Sequence, residues 1–369
     1  MVRDMIRDFA QKEIAKGAYE RDQTGEFPME IVKKLGELGM MGIMVPEEFG
    51  GAGLDVMSFT LVIEEVARVD ASLALTLAAH NGLPCGHLLV GGSDALKRKY
   101  LPAMATGEKI GAWGLTEPLS GSDAMGMSTT AVKKGDKWVI NGSKNFITNG
   151  TVADVFIIMA YTDKSKGSKG ISAFVAEKGW KGLHVGKKED KLGMRSSDTV
   201  SLTFENLEIP EENLIGELGQ GFVDALKVLD RGRVVIGALA LGIGKAALHE
   251  GAKYSKERTA FGKPISNFQA ISWMIADSAA ELEAAEVLLY QAAWMHDEKL
   301  FAKKESSMGK LYASEAAWRA CNKALQIHGG YGYVKEYPVE RFFRDVKLCE
   351  IGEGTSEIQR EVIAAQLLG

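Results

Sequence analysis

Cysteine is nearly absent: Cys85, Cys321 and Cys349 are the only three in 369 residues. Their odd number and wide spacing exclude a disulfide framework and a zinc knuckle. They point instead to reduced thiols in a cytosol or organelle matrix. No sign of charge dominates, and a net charge of -5 gives no basis for nucleic acid or an anionic membrane as partner. No apolar run reaches the length that spans a bilayer, so no membrane insertion is expected. Charges interrupt every apolar stretch of "MVRDMIRDFAQKEIAKGAYERD", which excludes a signal peptide at this end. A cytoplasmic location in a prokaryote is the first expectation, and a mitochondrial matrix the second. The Gly-x-Ser-x-Gly elbow, the Walker loop and His-Glu-x-x-His are also missing, which removes the common hydrolase, nucleotidase and metalloprotease signatures.

Hydrophobic residues make up 46% and charged residues 25%, the profile of a globular protein, over a length that suggests two or three domains. Near the start, Val2, Met5, Ile6 and Phe9 fall at helical spacing. "PMEIVKKLGELGMMG" and "SFTLVIEEVARVDASLALTLAAH" continue the helical period, with turns at "PEEFGGAGLD" and "VGGSD". The texture then changes. "DKWVING", "ADVFIIMAYTD", "KGISAFVAEK" and "TVSLTFENLEIP" are short runs rich in Val, Ile, Phe and Thr, and Val200, Leu202 and Phe204 alternate with polar residues. These predict an antiparallel sheet domain. Helical periodicity returns near 221–255, 266–297, 301–328 and 355–368. The expected fold class is α+β: an N-terminal helical domain (1–108), a middle β domain (109–215) and a C-terminal helical bundle (216–369).

Several motifs have plainer readings than chemistry. Gly242-x-Gly244-x-x-Ala247 is close to a dinucleotide fingerprint, but helical residues on both sides favour close helix packing. Asn141-Gly142 and Asn149-Gly150 read as hairpin turns between strands. His80 and His87 lack a convergent third metal ligand, and His328 reads as a histidine packed at a helix end.

Five segments combine polar groups with backbone freedom. "WGLTEPLSGSD" presents Thr116, Ser120 and Ser122 on a Pro/Gly-shaped loop. "NFITNG" places Phe146 and Thr148 two apart, on one side of a strand. "LDRGRVVIG" puts Asp230, Arg231 and Arg233 at the polar start of a helix. "QIHGGYGY" stops a helix at Gly329-Gly330. "CEIGEGTSEIQR" sets Glu353 between Gly352 and Gly354, with Thr355 and Ser356 opening a helix.

In order and spacing these segments, with "ERTAFGKPISNFQ" and "RFFRD", resemble the acyl-CoA dehydrogenases over the whole chain, nearest in flavour to the short-chain or butyryl-CoA branch. The resemblance implies a helical domain, a β-barrel-like domain and a helical bundle, with FAD as cofactor and acyl-CoA as substrate. Trp113, Leu115, Thr116 and Ser122 would contact FAD, and Ser122 would also reach the substrate. Phe146, Ile147 and Thr148 would lie against the isoalloxazine. Arg258, Phe261, Gln269, Gln326, Ile327, Gly329 and Gly330 would bind the FAD of a neighbouring subunit, implying a homo-oligomer and, from the family, a tetramer built as a dimer of dimers. Thr355 and Glu357 sit at a helix start, where free N–H groups favour flavin oxygens. Asp230, Arg233 and Gly354 match substrate contacts.

Within that resemblance Glu353 is the base that takes the α-proton, and its own N–H is a donor to the thioester carbonyl. A dry pocket should raise its pKa. The expected reaction is dehydrogenation to the trans-2-enoyl-CoA, with electrons passed to an electron-transfer flavoprotein. Three departures stand out. Gly352 replaces the Tyr common before the base and widens the pocket. Leu119 stands where Gly is usual. Gly232 occupies the place where some relatives keep their base. The alternatives are an enoyl-CoA reductase working in reverse and a non-catalytic flavoprotein scaffold. An oxidase is disfavoured because those chains usually carry an added C-terminal region, and flavin monooxygenases of this fold lack the glutamate.

Overall fold

Apolar residues at helical spacing, capped by Asp and Ser, build the N-terminal third. A computed structural model describes residues 2–369. Seven helices open the chain: α1 (Val2–Phe9), α2 (Ala18–Thr24), α3 (Met29–Glu37), α4 (Val56–Ala67), α5 (Ala71–His80), α6 (Gly86–Gly91) and α7 (Asp94–Ala105). Asp55, Asp70 and Ser93 cap α4, α5 and α7, each side chain accepting from an N–H three residues on. A π-helical turn, Asn81–Cys85, joins α5 to α6.

Eight strands follow: β1 (Gly111–Gly114), β2 (Thr130–Lys134), β3 (Lys137–Thr148), β4 (Val155–Tyr161), β5 (Ile171–Glu177), β6 (Leu183–Val185), β7 (Thr199–Pro210) and β8 (Leu214–Ile215). Their order is β6-β7-β3-β2-β4-β5-β8, with β1 also on β4. The sheet is mixed, not purely antiparallel as expected: β1 and β2 both run parallel to β4. These pairings join strands far apart in sequence, which local periodicity does not encode. β4 is buried on both faces, which explains its unbroken apolar run "VFIIMAY". Val155, Ile157 and Met159 pack with Leu88, Tyr100 and Met104 of α6 and α7. Phe156, Ile158 and Ala160 pack with Trp138, Phe174 and Leu202 on the other side. Asn141-Gly142 lies within β3 at a register shift and is not a hairpin turn; the β2–β3 turn is at Gly135, with φ 64°.

The last third contains α8 (Gly221–Glu257), a short hairpin of β9 (Thr259–Ala260) and β10 (Lys263–Pro264), then α9 (Gln269–Asp297), α10 (Lys303–His328), α11 (Val339–Val346) and α12 (Ser356–Leu368). The 37 residues of α8 run about 56 Å through the molecule. The Gly-x-Gly near-fingerprint is a packing device. A Cβ on Gly242 would stand 2.3 Å from the Glu64 carbonyl oxygen of α4, and one on Gly244 3.0 Å from Ala317 Cα of α10. Ala71–Gly91 and Gly221–Glu257 do reach the length and mean hydropathy of membrane spans, contrary to the sequence reading. In each, 78% of the most apolar window is packed inside the protein, so their apolar character is that of core helices.

Candidate active site

The Glu353 turn is assembled from both sides by hydrogen bonds. The chain leaves α11 through a 3₁₀ turn (Lys347–Glu350), where the Gly352 N–H donates to Leu348 O at 2.8 Å. Glu353 and Gly354 then adopt φ of 52° and 93°. For glutamate this left-handed conformation costs on the order of 1 kcal/mol, and such strain persists only where its surroundings hold it. Here Gln359 Nε2 donates to the carbonyl oxygens of Gly354 (2.9 Å) and Glu353 (3.4 Å), and Lys310 Nζ donates to Gly354 O. Thr355 caps α12, its Oγ1 accepting from the Ile358 N–H at 3.3 Å.

The turn drives the Glu353 side chain inward against α8. The residue as a whole is half-buried, but its Oε2 is enclosed and has no hydrogen-bond partner among the described residues. A Cβ on Gly232 would stand 2.0 Å from that oxygen, so any side chain at 232 would force the Glu353 carboxylate out of its observed position. Burial pushes the Glu353 carboxyl up to about 7, while Lys310 and then Arg233 work to lower it. Arg233 is itself buried and pairs with Asp230 at 2.5 Å; burial lowers its pKa, and Asp230 and Glu353 oppose that shift. Asp230 and Arg233 lie well inside α8, which starts at Gly221, and not at a helix start as the sequence suggested. Asp230, Arg231 and Arg233 precede the apolar run Val234–Leu241 and so resemble a polar helix start, although the helix already runs from Gly221.

The second element is the loop after β1. Trp113 Nε1 donates to His87 Nδ1 at 3.1 Å, tying the strand to α6. Glu117 is buried and accepts from the N–H groups of Ser128 and Thr129, from Ser128 Oγ and from Lys144 Nζ at 2.8 Å. Lys144 also donates to Leu115 O at 3.0 Å, so one ammonium of β3 holds two points of the loop. Burial works to raise Glu117, but Lys144, Ser128 and Thr129 hold it at about 2; burial lowers Lys144 to about 8 against the pull of Glu117. Both members are ionised at neutral pH. Leu119 at the loop tip is 99% exposed and Ser122 is exposed. Phe146 has φ 57° at a bulge between Lys144 and Ile147, so the regular pleat assumed for this stretch is broken there. Phe146 (64% exposed) and Thr148 (half-buried) still face outward, and Ile147 enters the core.

A third element is a groove of about 830 Å³ lined by Tyr254, Arg258, Ile327, His328, Gly329, Gly330 and Tyr331, among others. The Arg258 guanidinium lies 5.7 Å from the Tyr331 ring centre, and His328 stacks on Tyr254 with Nδ1 at 2.8 Å from Ala324 O. Nothing lies within 4 Å of where a Cβ would stand on Gly329 or Gly330, which leaves room for a ligand to approach the backbone. Gln269, Gln326 and Arg258 are exposed, as is Phe261 at 95% with φ 52°.

The first two elements meet across one seam. Trp113 binds His87. Gly86, beside it, faces α8, where its Cβ would lie 3.9 Å from Val228 and 4.0 Å from an Arg231 nitrogen; Gly232, the next residue of α8, faces Glu353. The third element is remote. Gln326 lies sixteen residues beyond Lys310 on α10, about 24 Å away. The exposed loop after β1, the outward-facing Phe146 and Thr148, the capped start of α12 and the glycine-floored groove are polar and open surfaces that suit a long, flat dinucleotide such as FAD. Sequence reasoning missed Lys144, Glu117, His87, Lys310 and Gln359. For Lys310 a signal existed: it falls in register with Ala313, Ala317, Ala320 and Ala324 on the buried stripe of α10.

The comparisons agree along the whole length. The acyl-CoA dehydrogenase N-terminal, middle and C-terminal domain patterns match residues 1–108, 112–207 and 219–368. A short-chain-specific acyl-CoA dehydrogenase of Clostridium acetobutylicum is 49% identical over 100% of this chain and 97% of its own. The caffeyl-CoA reductase-Etf complex subunit CarC of Acetobacterium woodii is 47% identical over 100% of this chain and 97% of its own. The solved butyryl-CoA dehydrogenase of Megasphaera elsdenii is 44% identical and superposes with a TM-score of 0.98, covering 100% of this chain and 97% of that one. The helical, sheet and helical fold, matched domain by domain, is that of a flavin-dependent oxidoreductase. The chain belongs to the acyl-CoA dehydrogenase family and uses FAD.

Proposed function

We propose that the chain oxidises short acyl-CoA thioesters to the trans-2-enoyl-CoA, with Glu353 removing the α-proton. The observation that carries this reading is the enclosed, unpartnered Oε2 of Glu353, held on a strained turn and pushed up to about 7 by burial. Bound FAD supplies the acceptor for the hydride leaving Cβ. Trp113, Leu115, Thr116, Phe146, Ile147, Thr148, Thr355 and Glu357 would hold it. Glu353 accepts the proton as a carboxylate and keeps it as a neutral acid, so its own enclosed charge is gone after the step. The Glu353 N–H is suited to polarise the thioester carbonyl, because the glycines on both sides let a substrate approach the backbone. Ser122, Asp230, Arg233 and Gly354 are the proposed substrate contacts.

The names of the Clostridium and Megasphaera relatives support a short acyl group, and that of the Acetobacterium relative supports an electron-transfer flavoprotein as partner. The Acetobacterium relative also supports a second reading, in which the same residues reduce an enoyl-CoA. The distance along α10 from Lys310 to Gln326, with Phe261 and Trp273 exposed, supports an assembly in which Arg258, Gln269 and Gln326 reach the FAD of a neighbouring copy; a tetramer is proposed. Relatives from bacteria and a reduced-thiol composition support a cytoplasmic location. The test is turnover. FAD-loaded protein given butyryl-CoA and a dye acceptor should reduce the dye. No dye reduction with any saturated acyl-CoA, but rapid reoxidation of reduced flavin by enoyl-CoAs, would favour the reductase.

Gly352 has an ordinary backbone, and a Cβ there would meet Leu348 O at a tolerable 3.4 Å. Its missing side chain is therefore not demanded by the fold and leaves space beside the base. Gly352→Tyr should lower kcat/KM for branched or aryl acyl-CoAs about tenfold or more relative to butyryl-CoA, ~1.4 kcal/mol of discrimination. Equal losses on both substrates would show that Gly352 does not set the pocket.

A further inference from the structure

Lys310 is fully buried, yet among the described residues it belongs to no ion pair within hydrogen-bonding reach. Its ammonium points from the small-residue stripe of α10 to the Gly354 carbonyl. Taking a lone ammonium out of water is costly, so its position calls for a compensating gain. The charged and titratable groups that face it are Cys349, Glu353 and Glu350 from the segment after α11, and Arg233 from α8. Arg233 carries its own counter-ion, Asp230. The charge nearest in function is Glu353, which feels Lys310 more strongly than Arg233.

We propose that Lys310 is a positioning residue for proton abstraction: it fixes the Glu353–Gly354 turn through the Gly354 carbonyl and places a positive charge that favours the ionised, proton-accepting form of Glu353. This rests on the reading of Glu353 as base. The geometry separates two needs. A direct ion pair to Oε2 would occupy the lone pair that must take the proton. A cation bonded to the neighbouring carbonyl acts through space and leaves Oε2 free. Gln359 supplies a second, neutral clamp on the same carbonyl, so the turn does not depend on Lys310 alone.

The test is the rate of anaerobic flavin reduction by butyryl-CoA as a function of pH, in FAD-loaded protein. In the native chain the rate should rise about tenfold per pH unit up to a limb near 7. Lys310→Met and Lys310→Gln should move that limb upward by about one to two units. Lys310→Arg should leave it near the native position. Lys310→Gln retains a donor for the Gly354 carbonyl and carries the test if Lys310→Met does not fold. At high pH the Gln variant should approach the native rate, whereas a merely disordered turn would slow the reaction at every pH. Neutral variants that keep the native limb overturn the proposal. Its failure differs from failure of the base reading, because native-like flavin reduction in Glu353→Gln would remove the base whatever Lys310 does.

Discussion

Lys144→Met should lose about 3 kcal/mol of stability and most of its affinity for FAD. The substitution removes the cation of a buried pair and leaves the Glu117 carboxylate enclosed without a counter-ion. Breaking such a pair by deleting one partner costs roughly 3–5 kcal/mol, and the lower figure applies because Ser128 and Thr129 continue to donate to Glu117. The same ammonium also holds Leu115 O, so the loop from Trp113 to Asp123 should lose its register with β3. Replacing both partners, Lys144→Met with Glu117→Gln, should recover part of the stability, because the unpaired charge is gone. Thermal unfolding with and without added FAD checks both statements. A double variant less stable than Lys144→Met would show that Glu117 matters for reasons other than its charge.

The gross order of helix, sheet and helix could be read from periodicity because each segment buries its own face. α9 and α10 came within a few residues of their observed limits for that reason. α11 escapes the sequence reading although Val339, Phe342, Phe343 and Val346 fall at helical spacing among its four charged residues, the same pattern that marks α1. The parallel pairing of β1 with β4 could not be read, since it joins Gly111 to Val155 across two intervening strands. The turn carrying Glu353 was legible because glycine, an acid and a helix cap lie together in sequence. What encloses it was not. Gln359 is six residues away, but Gly232 and Lys310 come from two other helices, and only folding brings them to the Glu353 turn. Phe146 shows a finer limit: the two-residue period placed it on the same side as Thr148, but its positive φ lies at a bulge in the pairing with β7, which its own neighbours do not encode.

Glu353→Gln should bind FAD and acyl-CoA while losing flavin reduction by several powers of ten. Glutamine preserves the volume of the side chain, and the clamp by Lys310 and Gln359 acts on backbone carbonyls that the substitution leaves intact. Neutral Gln cannot accept the α-proton, and each tenfold loss corresponds to ~1.4 kcal/mol of barrier. Glu353→Asp should retain a small fraction of activity, because the charge survives one methylene short of the reacting carbon. Since Oε2 has no hydrogen-bond partner, neither change opens a buried contact that would unfold the site. The decisive measurement is anaerobic bleaching of the bound flavin on mixing Glu353→Gln protein with butyryl-CoA. Full FAD content with bleaching slowed at least a thousandfold, ~4 kcal/mol of barrier, is the expected result. Bleaching at a near-native rate in a protein that retains its FAD would show that Glu353 is not the base.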